Sequence, residues 1–225
     1  KYDGIFVQCE DEIAAVSMAI GAGWGGRVSV TGSSGPGISL KGEAIGWAVM
    51  AEIPLIVIDV QRGGPSTGMP TNVEQSDLNI ACFGGHGDSP RVVIAPANVE
   101  DCFHTAIEAV NIAREYSTPV IILSDQAIAT RIEAFGMPDL KNICQDLAPD
   151  LTPREDHKPY DLDAPDGITH HAAPGTYIKS GKYPVVTGLE HDEMGHPSGA
   201  PKMHQKMTDK RRMKLQALGR SLPLP

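Results

Sequence analysis

Residues able to do chemistry concentrate in two glycine-rich loops and one acidic run. The loops are GSSGPG at residues 32–37 and GGPSTG at residues 63–68, and the acidic run is EDE at residues 10–12. Each loop follows a short apolar run rich in β-branched residues, which predicts a β-strand. Open α/β sheets bind their ligands at the carboxyl ends of the strands. We therefore expect the functional site at that edge, where both loops should lie.

The loops do not match the common nucleotide-binding motifs. GSSGPG lacks the lysine of a P-loop and the spacing of G-x-G-x-x-G. Ser33 and Ser34 could equally be turn residues that bond their own backbone. In the same way, Glu10, Asp11 and Glu12 could only complement the positive end of a helix dipole. The residues by themselves leave both interpretations open.

The elements that must position these loops alternate between strands and helices. Short apolar runs predict strands at residues 4–8, 27–31, 55–60, 91–95 and 119–125. Apolar residues at helical spacing predict helices at residues 13–24, 38–50, 74–81 and 98–114. This alternation predicts an α/β fold with a mostly parallel sheet that helices cover on both faces.

The composition changes after residue 138, so we expect two regions. Residues 1–138 form the α/β domain, and residues 139–225 form a connector and the start of a second region, an irregular C-terminal extension. Much of the connector is rich in Pro, Asp and His and shows no clear period. A strand and a turn at residues 183–199 then precede a helix that starts near Met203.

Two polar clusters of the extension are expected to be structural. Four basic residues lie on the last helix: Lys210, Arg211, Arg212 and Lys214. The acidic balance of the chain favours a solvated helix face over a nucleic-acid patch. Four residues of the preceding turn could be drawn as a metal site: His191, Asp192, Glu193 and His196. Their spacing is not HExxH, so we expect an exposed polar turn that contacts another subunit.

Composition narrows the class of partner. The chain has 225 residues, a formal net charge of −9 and a pI near 5.3, which argues against nucleic-acid binding. Its four cysteines are widely separated and form no CxxC, which fits a reducing cytoplasm and argues against a zinc ribbon or an iron–sulfur cluster in this chain. No apolar run reaches the ~20 residues that cross a bilayer, and no signal peptide is visible. We expect a cytoplasmic protein with small molecules or proteins as partners.

Several segments together resemble one enzyme family. They are EDEIAA, TGSSGPG, EAIGWAVMAEIP, DVQRGGPSTGMPT, GGHGDSPRVV and TGLEHDEMGHP. These segments look like the α subunit of 2-oxoacid:ferredoxin oxidoreductases, most closely the 2-oxoglutarate type. SGPG loops also occur in other thiamine-diphosphate enzymes, including acetohydroxyacid synthases, whereas QRGGPSTGMPT is far more selective.

The resemblance implies the pyrimidine-binding half of a thiamine-diphosphate enzyme. Glu12 matches the family glutamate that hydrogen-bonds N1′ of the aminopyrimidine, with Glu10 as the alternative. Such a carboxyl group favours the imino tautomer, whose nitrogen can remove the thiazolium C2 proton. The resemblance places the cofactor loop at four residues: Ser34, Gly35, Pro36 and Gly37.

The resemblance also implies a substrate pocket beside the second loop. Arg62 matches the family arginine next to the substrate carboxylate, a role suited to its forked guanidinium group. Thr71 matches a threonine near the same pocket, while Thr67 and Ser66 are weaker candidates. Because Arg62 and Thr71 stand at the two ends of one loop, we expect them to face one pocket.

The resemblance also implies a partner subunit, because the family carries some of its cofactor-binding motifs on another chain. The Gly-Asp-Gly…Asn motif for diphosphate and Mg²⁺ belongs to its β subunit, together with the iron–sulfur cluster, so thiamine diphosphate would be shared between subunits. The family also carries a Tyr-Pro-Ile-Thr-Pro segment before the first strand, and we therefore expect an N-terminally truncated domain.

The expected function is oxidative decarboxylation of a 2-oxo acid with coenzyme A. The products would be an acyl-CoA, carbon dioxide and reduced ferredoxin, with 2-oxoglutarate favoured over pyruvate as the acid. Two alternatives stay open: a non-redox thiamine-diphosphate enzyme of the acetohydroxyacid synthase type, and a catalytically inactive scaffold subunit.

Overall fold

The fold alternates strands and helices along most of its length. A computed structural model describes residues 4–139, 143, 148–152, 154–176 and 185–222. In chain order the elements are α1 (Glu12–Trp24), β1 (Val30–Ser33), α2 (Gly35–Met50), β2 (Leu55–Gln61), α3 (Leu78–Phe83), β3 (Val92–Ile94), α4 (Val99–Tyr116), β4 (Pro119–Asp125), α5 (Gln126–Thr130) and α6 (Pro201–Ser221). A 3₁₀ turn spans Pro165–Gly167.

The four strands form one parallel sheet in the order β1-β2-β4-β3. In the two central strands, Leu55 lies opposite Pro119 and Gln61 lies opposite Asp125. Every residue of β4 is buried, as expected of a strand covered on both faces. The predicted α/β fold with a parallel sheet is therefore confirmed.

A hydrophobic core lies on each face of the sheet. On one face, Ile20 of α1 and Ile45 of α2 pack with Val57 of β2. On the other face, Ile112 of α4 packs with Val120 of β4, and residues of α6 join the same cluster. Each fully buried aliphatic side chain contributes roughly 1.5–3 kcal/mol. None of the helices in the described part of the chain is both long and apolar enough to cross a membrane.

The strand predicted at residues 4–8 does not form. This segment lies outside the sheet, and Ile5 and Phe6 are 91% and 93% exposed. An apolar run becomes a strand only when a neighbouring strand accepts its backbone hydrogen bonds. The only neighbour of β1 among the described strands is β2, so the sequence pattern by itself overestimated the sheet.

Three other predicted boundaries shift for local reasons. Helix α2 begins at Gly35 rather than near residue 38, because Pro36 in its first turn has a backbone angle suited to a helix start. The helix predicted at residues 74–81 starts only at Leu78, since the backbone N–H of Asp77 donates to Gln61. In the strand predicted to begin at residue 183, residues 185–187 are not a strand, and residues 183–184 lie outside the described residues.

The prediction of a solvated basic face on α6 is wrong for three of its four residues. Lys210, Arg211 and Lys214 are buried. Lys210 Nζ donates to Glu52 Oε1 at 2.8 Å, and Lys214 Nζ donates to Glu52 Oε2 at 2.7 Å. Arg211 makes two hydrogen bonds to Glu190, at 3.2 and 2.9 Å. Charge in a helix sequence does not distinguish a solvated face from one that meets buried carboxylates.

Burial and charge shift the pKa values in this cluster. Burial by itself would raise the pKa of Glu52, but the ammonium groups of Lys214 and Lys210 outweigh it and lower that pKa to about 2. Burial lowers the pKa of Lys214 to about 8, although Glu52 opposes this shift. Two ammonium groups thus share one carboxylate where α6 meets the rest of the domain.

The polar turn before α6 is also less exposed than predicted. His191 is fully buried, with its Nε2 3.2 Å from the Met50 carbonyl oxygen and its Nδ1 3.0 Å from that of Asp192. Its ring lies 4.0 Å from that of Tyr160. The predicted exposure is therefore wrong for His191, because the turn packs onto the end of α2. Its predicted contact with another subunit stays a prediction.

Candidate active site

The first glycine loop becomes the junction between β1 and α2. Ser33 ends the strand, Ser34 is the N-cap residue with a φ of −138°, and Gly35 begins the helix. The loop therefore lies at the carboxyl edge of the sheet, as predicted. The N-terminus of a helix carries a partial positive charge and unpaired N–H groups, which suit an anionic or polar ligand.

The side chain of Glu12 lies against Gly37 in this junction. A Cβ atom at Gly37 would be 3.0 Å from both Cγ and Oε1 of Glu12 and would collide with the Ser33 hydroxyl oxygen. Any larger residue at position 37 would have to displace the Ser33 or Glu12 side chain. Glu12 is half-buried, whereas Glu10 is exposed. The geometry therefore favours Glu12 over Glu10 as the carboxylate of the site.

Helix capping does not explain Glu12. The N-cap residue of α1 is Asp11, and its Oδ1 accepts a hydrogen bond from the Ala14 N–H at 2.7 Å. Asp11 thus supplies the capping oxygen that the acidic run could have been there to provide. The neighbouring Glu12 carboxylate is placed over the α2 N-terminus instead.

Lys41 is a site residue that sequence reasoning missed. It is fully buried, and its Nζ donates to Thr31 Oγ1 at 3.0 Å and to the Gly32 carbonyl oxygen at 3.4 Å. Burial lowers the pKa of Lys41, and the Glu12 carboxylate opposes that shift. A signal existed, because Lys41 falls at helical spacing on the apolar stripe that includes Ile38 and Ile45.

A cleft of about 580 Å³ opens beside the α2 N-terminus. Gly35 and Pro36 of the first loop line this cleft together with Arg62, Ser66 and Asp77. The cleft is therefore shared by the two glycine loops. They meet around one helix end, with Glu12 packed against the third residue of α2 and the cleft beside the first two.

Arg62 and Asp77 bring opposite charges to the cleft. Arg62 is half-buried, and its buried Nε has no hydrogen-bond partner among the described residues. Asp77 is buried, and a Cβ atom at Gly35 would be only 3.0 Å from its Oδ1. Burial raises the pKa of Asp77, against hydrogen bonds from Ser76 and the Gly35 backbone. Asp77, which follows no motif, was not anticipated from the sequence.

Asp59 is the second unanticipated carboxylate. It is fully buried on β2, and neither carboxylate oxygen has a partner within the described ranges. Burial, together with the nearby Asp77, raises the pKa of Asp59 to about 7. An aspartate inside the apolar run LIVIDV was the available signal, since unpaired charges are rarely buried.

The predicted threonines do not line this cleft. Thr67 and Thr71 are both exposed and are not among the residues of its walls. The ends of the second loop do meet, because the Gly63 N–H donates to the Asn72 carbonyl oxygen at 3.0 Å. The structure therefore brings Glu12, the first loop and Arg62 around one helix end and leaves the two threonines outside. Their substrate contact stays a prediction.

Fold and site together define a cofactor-binding α/β domain that presents a glutamate at the carboxyl edge of a parallel sheet. The residues fit an aminopyrimidine, since Gly37 leaves room for the half-buried Glu12 carboxylate beside the helix N-terminus. Residues 1–210 match the family described as pyruvate flavodoxin/ferredoxin oxidoreductase, thiamine diphosphate-binding. The chain belongs to this family.

Known relatives agree with this assignment. The 2-oxoglutarate oxidoreductase subunit KorA of Mycobacterium tuberculosis is 45% identical over 219 residues, covering 97% of this chain and 33% of that protein. The 2-oxoglutarate synthase subunit KorA of Methanothermobacter marburgensis is 41% identical over 205 residues, covering 91% of this chain and 53% of that protein.

A solved structure agrees as well. It is that of 2-oxoglutarate:ferredoxin oxidoreductase from Magnetococcus marinus with 2-oxoglutarate, coenzyme A and succinyl-CoA bound. It matches with a TM-score of 0.89 at 41% identity, covering 98% of this chain and 38% of that chain. The resemblance and the fold inferred from the sequence are confirmed. The chain spans between about a third and about half of the length of these relatives.

Proposed function

We propose that this chain is the pyrimidine-binding part of the α subunit of a 2-oxoglutarate:ferredoxin oxidoreductase. The complex oxidatively decarboxylates 2-oxoglutarate and, with coenzyme A, forms succinyl-CoA, carbon dioxide and reduced ferredoxin. The observation that carries the proposal is the Glu12 carboxylate packed on Gly37 at the carboxyl edge of the sheet, in a chain of this family.

Glu12 presents its carboxyl group at the edge of the cofactor site. Thiamine diphosphate, when bound, supplies the nucleophilic carbon and the electron sink that decarboxylation of a 2-oxo acid requires. The Glu12 carboxylate shares a proton with N1′ of the aminopyrimidine, and it acts from a half-buried position where water competes less for that hydrogen bond. Ser34, Gly35, Pro36 and Gly37 form the wall that lets the ring approach.

Arg62 binds the carboxylate of the 2-oxo acid. Its guanidinium group lines the cleft next to the α2 N-terminus, and its Nε is a buried donor with no partner in the described part of the chain. A planar fork of N–H donors matches a carboxylate in two parallel hydrogen bonds. Thr71 and Thr67 complete the substrate contacts once the partner subunit covers the loop that carries them.

A β subunit supplies the rest of the machinery. Because the family that the chain resembles carries the Gly-Asp-Gly motif and the iron–sulfur cluster on its β subunit, we assign the diphosphate, Mg²⁺ and iron–sulfur sites to that partner. With a net charge of −9, this chain repels an acidic ferredoxin, and ferredoxin therefore docks on the β subunit. A ferredoxin cross-link mapping mainly to residues 140–225 would contradict this placement.

The role of Glu12 is tested by exchange of the C2 proton of bound thiamine diphosphate in the assembled complex. Glu12→Gln should slow this exchange and turnover by at least ~10²-fold, because an amide cannot share the proton at N1′. Glu10→Gln is the matched control, since that carboxylate is exposed, and it should exchange at the wild-type rate. Wild-type exchange in Glu12→Gln with slow exchange in Glu10→Gln would move the role to Glu10.

The choice of acid is tested separately by steady-state kinetics. The complex should show a higher kcat/KM for 2-oxoglutarate than for pyruvate, as the names of the relatives indicate. A clearly higher kcat/KM for pyruvate would overturn the substrate but not the reaction type. Catalytic inactivity with bound cofactor would instead favour the scaffold alternative.

A further inference from the structure

Lys41 is the one fully buried lysine among the described residues that has no carboxylate within hydrogen-bonding distance. The other two buried lysines, Lys210 and Lys214, each donate to Glu52. Within the described residues, Lys41 Nζ donates only to neutral oxygens, those of Thr31 and Gly32. Burying an ammonium group with only neutral acceptors is costly, so its location requires an explanation.

Lys41 lies on the same face of α2 as Gly37, the residue that Glu12 contacts. Lys41 follows Gly37 by four residues, which places both on the same side of the helix. Gly37 is the residue against which the Glu12 side chain packs, with its Cγ and Oε1 both 3.0 Å from an added Cβ. The charged or titratable groups that act on Lys41 are Glu12 and the thiol of Cys9. Within the described residues, Glu12 is thus the carboxylate whose charge favours the protonated form of Lys41.

We propose that Lys41 is a positioning residue for Glu12, which sets the pH at which the Glu12–N1′ pair takes up its proton. The inference rests on the proposed function, in which Glu12 meets the aminopyrimidine. A buried cation disfavours the arrival of a further positive charge nearby. Lys41 therefore lowers the proton affinity of the pair, which titrates as a unit because its two members share the proton.

The end of β1 holds the ammonium group in place. Thr31 Oγ1 and the Gly32 carbonyl oxygen fix Lys41 Nζ from the strand, while α2 carries its backbone. The cation, the loop and the glutamate thus belong to three elements that meet at the carboxyl edge of the sheet. Thiamine diphosphate binding alone does not need this cation, because the diphosphate site is assigned to the β subunit.

The test follows the protonation of the bound aminopyrimidine by its circular dichroism band across pH, without substrate, in the assembled complex. Lys41→Met removes the charge at similar length, and Lys41→Gln removes the charge but keeps a donor for the β1 oxygens. Both variants should move the titration midpoint upward by about one pH unit or more, as expected for loss of a charge nearby. Lys210→Met, a buried lysine of α6, should leave it at the wild-type value.

An unmoved midpoint in both Lys41 variants, or an equal shift in Lys210→Met, would overturn the inference. If Lys41→Met does not assemble, Lys41→Gln decides alone. If neither assembles while Lys210→Met does, the role of Lys41 is structural and the inference is wrong.

Glu12→Gln in the same titration separates this inference from the proposed function. If Glu12→Gln changes the band and the Lys41 variants do not, only the role of Lys41 fails. If Glu12→Gln leaves the midpoint unchanged, the role of Glu12 itself fails.

Discussion

The buried carboxyl group of Asp59 should make the stability of this domain fall as the pH rises towards 7. The side chain is fully buried and unpartnered within the described residues, and its pKa is raised from 3.8 to about 7. Replacement by asparagine keeps the shape and removes the titration. Comparing Asp59→Asn with the wild type across pH therefore isolates the effect of this one group.

The magnitude follows from linkage. Between the unfolded and folded pKa values of Asp59, the folded chain binds more protons than the unfolded chain, so the free energy of unfolding decreases as the pH rises. A shift of about three pKa units corresponds to about 4 kcal/mol in the free energy of unfolding. This stabilisation is fully present below pH 3.8 and is lost above pH 7. From pH 5 to pH 8.5, the stabilisation by Asp59 falls over the roughly two pH units between pH 5 and its folded pKa. The free energy of unfolding therefore decreases by about 3 kcal/mol.

The assay is urea unfolding at pH 5 and at pH 8.5. From pH 5 to pH 8.5, the wild type should lose about 3 kcal/mol more than Asp59→Asn. Asp209→Asn is the matched control, because it makes the same substitution at an exposed position of α6. That variant should follow the wild type at both pH values.

Equal pH dependence in the wild type and in Asp59→Asn would refute this reasoning. It would mean that Asp59 is ionised in the folded protein over the whole range, so its burial would have to be compensated by a group that neutralises the charge. Loss of the pH dependence in Asp209→Asn as well would trace it to net charge rather than to burial.

Three further predictions concern the site and its support. Gly37→Ala should weaken thiamine diphosphate binding at least ~10-fold, because its Cβ meets the Glu12 carboxylate. Gly42→Ala on the same helix meets no atom within 4 Å and should stabilise the chain by ~0.5–1 kcal/mol. Glu52→Gln should destabilise the chain by ~3–5 kcal/mol in urea unfolding, because it leaves two buried ammonium groups without their carboxylate. Its control is Glu43→Gln, exposed on α2, which should change stability by less than ~0.5 kcal/mol. Arg62→Lys keeps the charge but loses the fork, and should raise KM for 2-oxo acids in steady-state kinetics with little effect on unfolding.

Each of these predictions has an outcome that contradicts it. Tight cofactor binding in Gly37→Ala would show that Glu12 can move aside without loss. Wild-type stability in Glu52→Gln would mean that the lysines of α6 find other partners or lose their protons. An unchanged KM in Arg62→Lys would remove the arginine from substrate binding.

Periodicity and loop chemistry determined most of the fold and the location of the site. Apolar runs such as residues 55–60 and 119–125 predicted central strands. A strand that helices cover on both faces is apolar at nearly every position, so the run itself reports the burial. The glycine loops predicted the carboxyl edge, because glycine and proline break a strand where a helix follows. The roles expected of Glu12, Gly37 and Arg62 came from the resemblance to the family, whose matching motifs are local in sequence.

Tertiary structure decided which charges are buried and which residues face each other. The burial of Lys210 and Lys214 depends on Glu52, which lies 158 residues before the first of them, and no periodicity reports a pairing at that separation. The exposure of residues 4–8 depends on the lack of a neighbouring strand in the described sheet, which an apolar pattern cannot show. Lys41 and Asp59 were not anticipated, because in the sequence they are only polar residues on apolar elements. Their pKa shifts follow from burial and from the charged groups nearby, which only the folded chain brings together.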